Sequence, residues 1–161
     1  MPDSLHAQNS FRQACARFAT GITISTVLGS DGTPHGLTAN SFTSVSMDPP
    51  MLLLCIDHKA NIIDHFKNAK HFGINILEKG QMNLSNRFAE RGQDRFGGVS
   101  WHVGQFGVPL LDGAIAHFEC AITNVIEAGD HSIFLGEVVS AESFDGEPLL
   151  YFRSRYAGLI S

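Results

Sequence analysis

Hydroxyl and amide side chains crowd one stretch of this 161-residue chain, Gly36-Leu37-Thr38-Ala39-Asn40-Ser41-Phe42-Thr43-Ser44-Val45-Ser46-Met47, just ahead of Asp48-Pro49-Pro50. Small side chains let a flat ligand approach the backbone closely. Asn, Ser and backbone N–H groups can then bond the carbonyl and nitrogen edge of a ring system. The same residues also suit a polar turn between two strands, and local chemistry leaves both readings open. A second candidate is His131, which follows Gly129-Asp130 between two long β-rich segments. A histidine in such a turn can orient a ligand or simply hydrogen-bond its neighbours.

Other chemistries find less support. Gly-x-Gly-x-x-Gly, the phosphate-loop pattern and Gly-x-Ser-x-Gly are all missing from the sequence, which disfavours a Rossmann dinucleotide site and the commoner nucleotide and acyl-transfer classes. Of the eight histidines, His58, His65 and His71 lack i, i+4 spacing, so no metal centre is expected. Cys15, Cys55 and Cys120 are far apart and odd in number, with no Cys-x-x-Cys; buried reduced thiols are the expectation. A net charge of −5 argues against nucleic-acid binding. No apolar run is long enough to span a bilayer, and no leader pattern is visible, so a cytoplasmic protein without membrane association is expected. Charged residues make up 17%, somewhat low, which leans towards a homo-oligomer.

The elements that would position these residues are mostly strands. Alternating β-branched residues predict a strand over 22–28, closed by an Asp31-Gly32 turn, then an extended segment over 35–42 that the double proline interrupts. Residues 51–56 read as a strand buried on both faces. Further strands are expected over 71–77, 114–128, 132–143 and 149–152. Helices are expected over 11–19, 61–68 and 81–89. The first would be capped by Ser10 with Gln13 and ended by Gly21, with Phe11, Cys15 and Phe18 facing the core. Residues 90–113 read as glycine-rich loop, with Trp101 as a core anchor. Few short helices and no βαβ alternation suit a closed or nearly closed antiparallel barrel in one domain.

Five blocks, in order, resemble the short-chain flavin reductases, the small components of two-component flavin monooxygenases. They are Phe18-Ala19-Thr20-Gly21-Ile22-Thr23, the stretch from Gly36 to Pro50, Leu84-Ser85-Asn86-Arg87-Phe88, the stretch from Gly129 to Val138, and Pro148-Leu149-Leu150-Tyr151-Phe152-Arg153. The resemblance implies a mainly β, FMN-binding split barrel over residues 1–161, working as a homodimer with flavin near the interface. It implies that Thr38, Ala39, Asn40 and Ser41, with Ser46 in the same hydroxyl-rich stretch, line the isoalloxazine ring of FMN or FAD. Cys55, Ile56, Asp57, Asn61 and Ile62 would follow the ribityl and phosphate arm, where Lys59 and Arg87 could add charge-assisted hydrogen bonds. Asn61 falls at an expected helix start, which favours a phosphate. Phe88 would complete the pocket. His131 would lie beside the nicotinamide, and Tyr151, Phe152 and Arg153 would border the same cleft.

The reaction so implied is NAD(P)H:flavin oxidoreduction, with reduced flavin passed to a separate monooxygenase. Hydride transfer is chiefly a matter of alignment, so no indispensable catalytic base is expected. NADH is preferred over NADPH because no tight basic cluster is visible for a 2′-phosphate. The alternative is a noncatalytic flavin- or heme-binding barrel, since related split barrels serve several functions.

Overall fold

A computed structural model of the chain describes residues 4–92 and 94–160. In chain order its elements are α1 (Ser4–Cys15), β1 (Thr20–Gly21), β2 (Thr23–Leu28), β3 (Pro34–Ala39), β4 (Thr43–Met47), β5 (Pro50–Asp57), α2 (Ile63–Asn68), β6 (His71–Ile76), α3 (Met82–Ala89), β7 (Trp101–Val103), β8 (Pro109–Leu111), β9 (Ala116–Ala128), β10 (His131–Ser143), β11 (Leu150–Phe152) and β12 (Arg155–Ala157). Strands take 47% of the residues and helices 16%, so the fold is mainly β, as the alternating runs predict.

Seven strands form one antiparallel sheet in the order β3-β2-β6-β9-β10-β5-β4. Its two edge strands, β3 and β4, are consecutive in the chain and joined only by residues 40–42. Laid flat, seven strands would separate those edges by about 29 Å. The four Cα steps from Ala39 to Thr43 reach at most about 15 Å. The sheet must therefore roll up, and the product is a split β-barrel whose seam lies at that short link. Ser41 pins the seam: its hydroxyl donates to the Cys55 carbonyl at 2.8 Å and accepts the Cys55 N–H at 3.2 Å.

Inside the roll, Val27, Leu52, Leu54, Ile56, Phe72, Ile74, Cys120 and Phe134 form the main core. Helix α2 plugs it with Phe66, fully buried and edge-on to Phe134 at 5.7 Å between ring centroids. Burying a phenyl ring of this kind contributes about 1.5–3 kcal/mol. A second cluster, Ile22, Ile24, Leu77, Phe88, Phe96, Leu111 and Leu149, lies beneath α3 and fixes that helix against β3.

Several expectations are corrected. The first helix runs over Ser4–Cys15 rather than 11–19, so Ser10 sits inside it and caps nothing. Its start lies upstream because Leu5, Ala7 and Gln8 are good helix formers. Its end is set by tertiary pairing: Thr20 and Gly21 join β11, so Gly21 is a strand residue and not a helix terminator. Phe11 and Phe18 are 70% and 77% exposed, and no core forms on that face. Strand β5 buries only alternate residues, Leu52, Leu54 and Ile56, because a rolled sheet has a single inside; Met51, Leu53 and Cys55 remain half-buried on the outside. Of the three free thiols only Cys120 is buried, while Cys55 is half-buried and Cys15 exposed. Helix α2 begins at Ile63, two residues later than the expected start at Asn61, and is six residues long. Strands β7, β8 and β12 fall in segments read as loop or left unassigned. Trp101 opens β7, half-buried, and packs edge-on against the buried Phe96 at 5.6 Å.

Candidate functional site

The hydroxyl-rich stretch ends an edge strand. Strand β3 pairs with β2 alone, so its outer backbone N–H and C=O groups are left for other partners. Helix α3 lies against this edge because β3 carries a glycine where the helix crosses. A Cβ on Gly36 would come within 2.9 Å of the Phe88 ring. That close approach puts Ser85 beside Thr38, whose hydroxyl donates to the Ser85 carbonyl at 2.6 Å. On the other side, Asn40 donates to the Thr20 hydroxyl at 3.3 Å, and Thr20 pairs with Tyr151. Strands β11 and β12 form a hairpin in which Tyr151 faces Tyr156, ring centroids 5.7 Å apart. The Tyr156 hydroxyl meets Ser85 Oγ at 3.1 Å and Asn86 Oδ1 at 2.5 Å.

These groups enclose a pocket of about 210 Å³ lined by Ile22, Thr38, Ala39, Asn40, Ser85, Ala89, Tyr151 and Tyr156. Its donor set suits the edge of a flavin: hydroxyl, amide and edge-strand backbone groups on one wall, aromatic rings on another. Its size does not enclose a whole dinucleotide, since sites for drug-sized ligands run to roughly 300–1,000 Å³. Within one chain this is a niche for part of a ligand.

The second cluster lies at the far end of β5. Cys55 and Asp57 face Ile133 and His131 across the ladder. His131 is therefore two residues, about 7 Å, along the strand from the position that Ser41 grips. His131 Nδ1 pairs with Asp130 Oδ1 at 2.6 Å, and this hydrogen bond holds the Asp130 carboxyl below its ordinary range. The turn is braced by the His58 N–H on the Asp130 carbonyl. Glu127 gathers His58, Lys67 and Ser132 around one carboxylate, whose affinity for protons the Lys67 and Ser132 hydrogen bonds lower.

The remaining expected site residues divide by what their side chains do. Ile56 and Ile62 point into the barrel core and can offer a ligand only backbone. Phe88 is fully buried, edge-on to Phe96 at 4.9 Å, and forms the floor beneath β3. Arg87 donates to the carbonyls of Asp94, Arg95 and Gly97, and so fastens the loop after α3. Asp57 accepts the Lys59 N–H at 2.8 Å and caps that turn. Lys59 is exposed beside it. Asn61 is exposed and borders a separate cavity of about 210 Å³ with His35 and Arg95. Ser46 lies on β4 opposite Met51, towards the double-proline turn and away from Cys55. Phe152 and Arg153 are exposed at the hairpin tip.

Three contributors were not singled out from the sequence. Tyr156 follows a two-residue turn, Arg153-Ser154, in which both residues have positive φ (51° and 60°). That turn type normally signals itself through Asn or Gly, so nothing in the sequence marked the hairpin. Ser85 lay within a matching block but carried no assigned role. Arg95 braces the edge strand by donating to the Gly36 carbonyl at 2.6 Å.

Comparison with known proteins agrees with this architecture. The flavin reductase like domain matches residues 15–159. The NADH-dependent FAD reductase of Streptomyces globisporus is 42% identical over 90% of this chain and 82% of its own length. The reductase component of the flavin-dependent trigonelline monooxygenase of Acinetobacter baylyi is 41% identical over 96% of this chain and 50% of its own. This chain spans about half the length of two curated relatives and about four fifths of two others. Among solved structures, the Streptomyces globisporus NADH:FAD oxidoreductase in complex with NAD and FAD fragments superposes with a TM-score of 0.91. It is 39% identical, covering 96% of this chain and 94% of that one. A match across nearly all of the chain, in sequence and in backbone, leaves one conclusion: this chain belongs to the flavin reductase-like domain family.

Proposed function

We infer that this chain is an NAD(P)H:flavin oxidoreductase that reduces FMN or FAD and supplies reduced flavin to a separate flavin-dependent monooxygenase. The observation that carries the reading is the edge-strand niche, where Thr38, Ala39 and Asn40 face Ser85, Tyr151 and Tyr156. A bound flavin supplies the hydride acceptor. The chain's own residues bind and orient. The Asn40 amide and the free backbone of the β3 edge bond the polar rim of the ring. Tyr151 and Tyr156 shield it from water on the opposite wall. The Ser41 hydroxyl is occupied by Cys55 at both of its bonds, so at this position the contribution is backbone and a fixed seam. His131, held by Asp130, orients the nicotinamide of NADH, and Tyr151, Phe152 and Arg153 border that cosubstrate. No group in the niche is arranged as an acid–base pair, and hydride transfer asks for none. Cys55, Asp57, Lys59 and Asn61 follow the ribityl and phosphate arm.

The niche is too small for the whole ligand, and the surface beside it is apolar. Val45 and Met47 are 48% and 88% exposed on edge strand β4, and Met51, Leu53, Ile133 and Leu135 lie half-buried on the outer face of β5 and β10. A second copy seated on that face would complete the site, which makes the working unit a homodimer of single reductase domains. No helix among the described residues is long and apolar enough to cross a membrane, and the working location is the cytoplasm.

The test is NADH consumption by the purified chain with FMN, FAD or riboflavin, alongside quenching of flavin fluorescence. Turnover with at least one flavin and saturable quenching are expected. Neither quenching nor turnover at generous flavin concentration overturns the reading.

A further inference from the structure

We propose that Tyr156 is a positioning residue for the reductase reaction, acting through Ser85 as the latch that closes the wall of the niche. The inference rests on the flavin reductase reading and goes beyond it to a residue that no motif pointed to.

The contacts around the niche form a closed circuit. Thr38 donates to the Ser85 carbonyl, Ser85 Oγ meets the Tyr156 hydroxyl, Tyr156 stands across from Tyr151, Tyr151 pairs with Thr20, and Thr20 accepts from Asn40. Asn40 is two residues from Thr38, so the circuit returns to its start. The other five links are strand pairing, chain continuity from Thr38 to Asn40, or bonds to β3 and the residue that follows it. The Tyr156 hydroxyl joins the hairpin to α3, at Ser85 Oγ and at Asn86 Oδ1.

Ser85 is the hub. It is 1% exposed, and its carbonyl and hydroxyl reach opposite walls of the same niche. A tyrosine hydroxyl carries one proton. The shorter contact, 2.5 Å to Asn86 Oδ1, takes it, so Ser85 Oγ donates to the phenol oxygen. Without that oxygen the Ser85 hydroxyl is buried with no partner here, and α3 has reason to shift. The hairpin for its part is not held rigid by its turn. Arg153 and Ser154 both sit in the left-handed region without being glycine, which makes the turn a costly one for these residues. At the tip one backbone bond, from the Arg153 N–H to the Ala16 carbonyl, fastens it to the end of α1. Strand β11 is held by β1 and the tip by one tie, while β12 meets α3 through the Tyr156 latch, which sets how Tyr156 and its neighbour Tyr151 stand against the ring pocket.

The experiment uses Tyr156→Phe and Ser85→Ala in the full chain, singly and together. Tyr156→Phe keeps the ring and its packing on Tyr151 and removes only the oxygen. The dissociation constants of FMN and FAD are read by fluorescence quenching, KM and kcat by NADH oxidation, and folding by thermal melting. Losing a buried neutral hydrogen bond and its alignment should raise the flavin dissociation constant about 5–30-fold. At saturating flavin kcat should stay within about threefold, because the ring once bound still meets the same edge strand. The double variant should be no worse than the weaker-binding single one, since both break one link. If Tyr156→Phe fails to fold, Ser85→Ala carries the same test alone. Unchanged flavin binding in the folded variants, a fall in melting temperature without loss of binding, or additive effects in the double variant overturns the latch. A wild-type chain that binds no flavin overturns the reductase reading instead.

Discussion

Replacing Gly36 by alanine tests whether the contact of α3 with the edge strand positions the niche. Gly36 does not have the left-handed φ that would itself forbid a side chain. If space allowed, alanine would stabilise the protein by about 0.4–1 kcal/mol through the unfolded chain. Space does not allow it. The new methyl would lie 2.9 and 3.1 Å from two carbons of the Phe88 ring and 3.2 Å from the Ser25 carbonyl oxygen. Phe88 cannot turn aside, being fully buried with Phe96 edge-on at 4.9 Å. Overpacking of this kind costs about 1–3 kcal/mol, so the net effect is a loss of about 0.5–2 kcal/mol. At about 2–4 °C per kcal/mol for a chain of this length, the melting temperature should fall by about 1–8 °C. The helix must yield by a few tenths of an ångström, which loosens the 2.6 Å bond from Thr38 to the Ser85 carbonyl. Flavin affinity should drop about 2–12-fold, the equivalent of one neutral hydrogen bond. The control is Gly21→Ala, whose new methyl meets nothing within 4 Å. Melting and fluorescence titration read both effects. A Gly36→Ala chain as stable as wild type, with unchanged flavin binding, would refute the coupling between this helix and the site.

Three further outcomes follow from the geometry. His131→Ala should raise the KM for NADH by about fivefold, the worth of one hydrogen bond, with little change in flavin affinity; an unchanged KM removes His131 from the cosubstrate site. His35 stacks on His65 at 3.6 Å between ring centroids, and burial, with the His65 charge second, lowers its proton affinity while Asp31 opposes the shift. The unfolded chain then binds more protons than the folded one just below the ordinary histidine value. Stability from this source is complete above about pH 6.5 and declines as pH falls towards the depressed folded value. Urea midpoints between pH 7 and pH 5 should show that decline, and His35→Phe, which keeps a stacked ring, should flatten it; equal slopes would exclude His35 as the source. A thiol reagent should modify exposed Cys15 first in the folded protein. Cys120 should stay unreactive until unfolding, because burial, with Glu119 nearby, pushes its thiol up to about 12. Mass mapping of the labelled cysteines checks the order.

The parts legible in the sequence are those whose signal is local. Alternating β-branched residues marked β2, and the long runs marked β9 and β10, because strand period is written residue by residue. The hydroxyl-rich stretch stood out for the same reason: Thr38, Ala39 and Asn40 stand together in sequence and line one pocket in the fold. What was not legible depended on packing and turns that no local pattern marks. The exposed Phe11 and Phe18 look like a core face until the barrel is seen to close without them. The resemblance offers Arg87 to the ligand, and the fold shows its guanidinium also holding three loop carbonyls. Tyr156 reads as an ordinary aromatic residue. Its place across from Tyr151 comes from a turn whose residues, Arg and Ser, carry no turn signal.

The same topology supports the proposal that one chain offers only part of a site. A roll of seven strands with its seam at residues 40–42 must leave two edge strands side by side, and an edge strand carries backbone groups that the sheet cannot use. Burial behind a helix would waste those groups, and open exposure would invite aggregation. Here α3 and the β11–β12 hairpin cover the β3 edge incompletely, and β4, among the described residues, pairs with β5 alone and stays largely exposed. Its Met47 is 88% exposed. On the reading proposed above, a planar ligand with a polar rim would satisfy the first edge, and an apolar surface of a second copy would cover the second. Ser41 ties both demands together, because the residue that pins the seam to Cys55 stands between the edge that would bind the ring and the edge that would meet the partner.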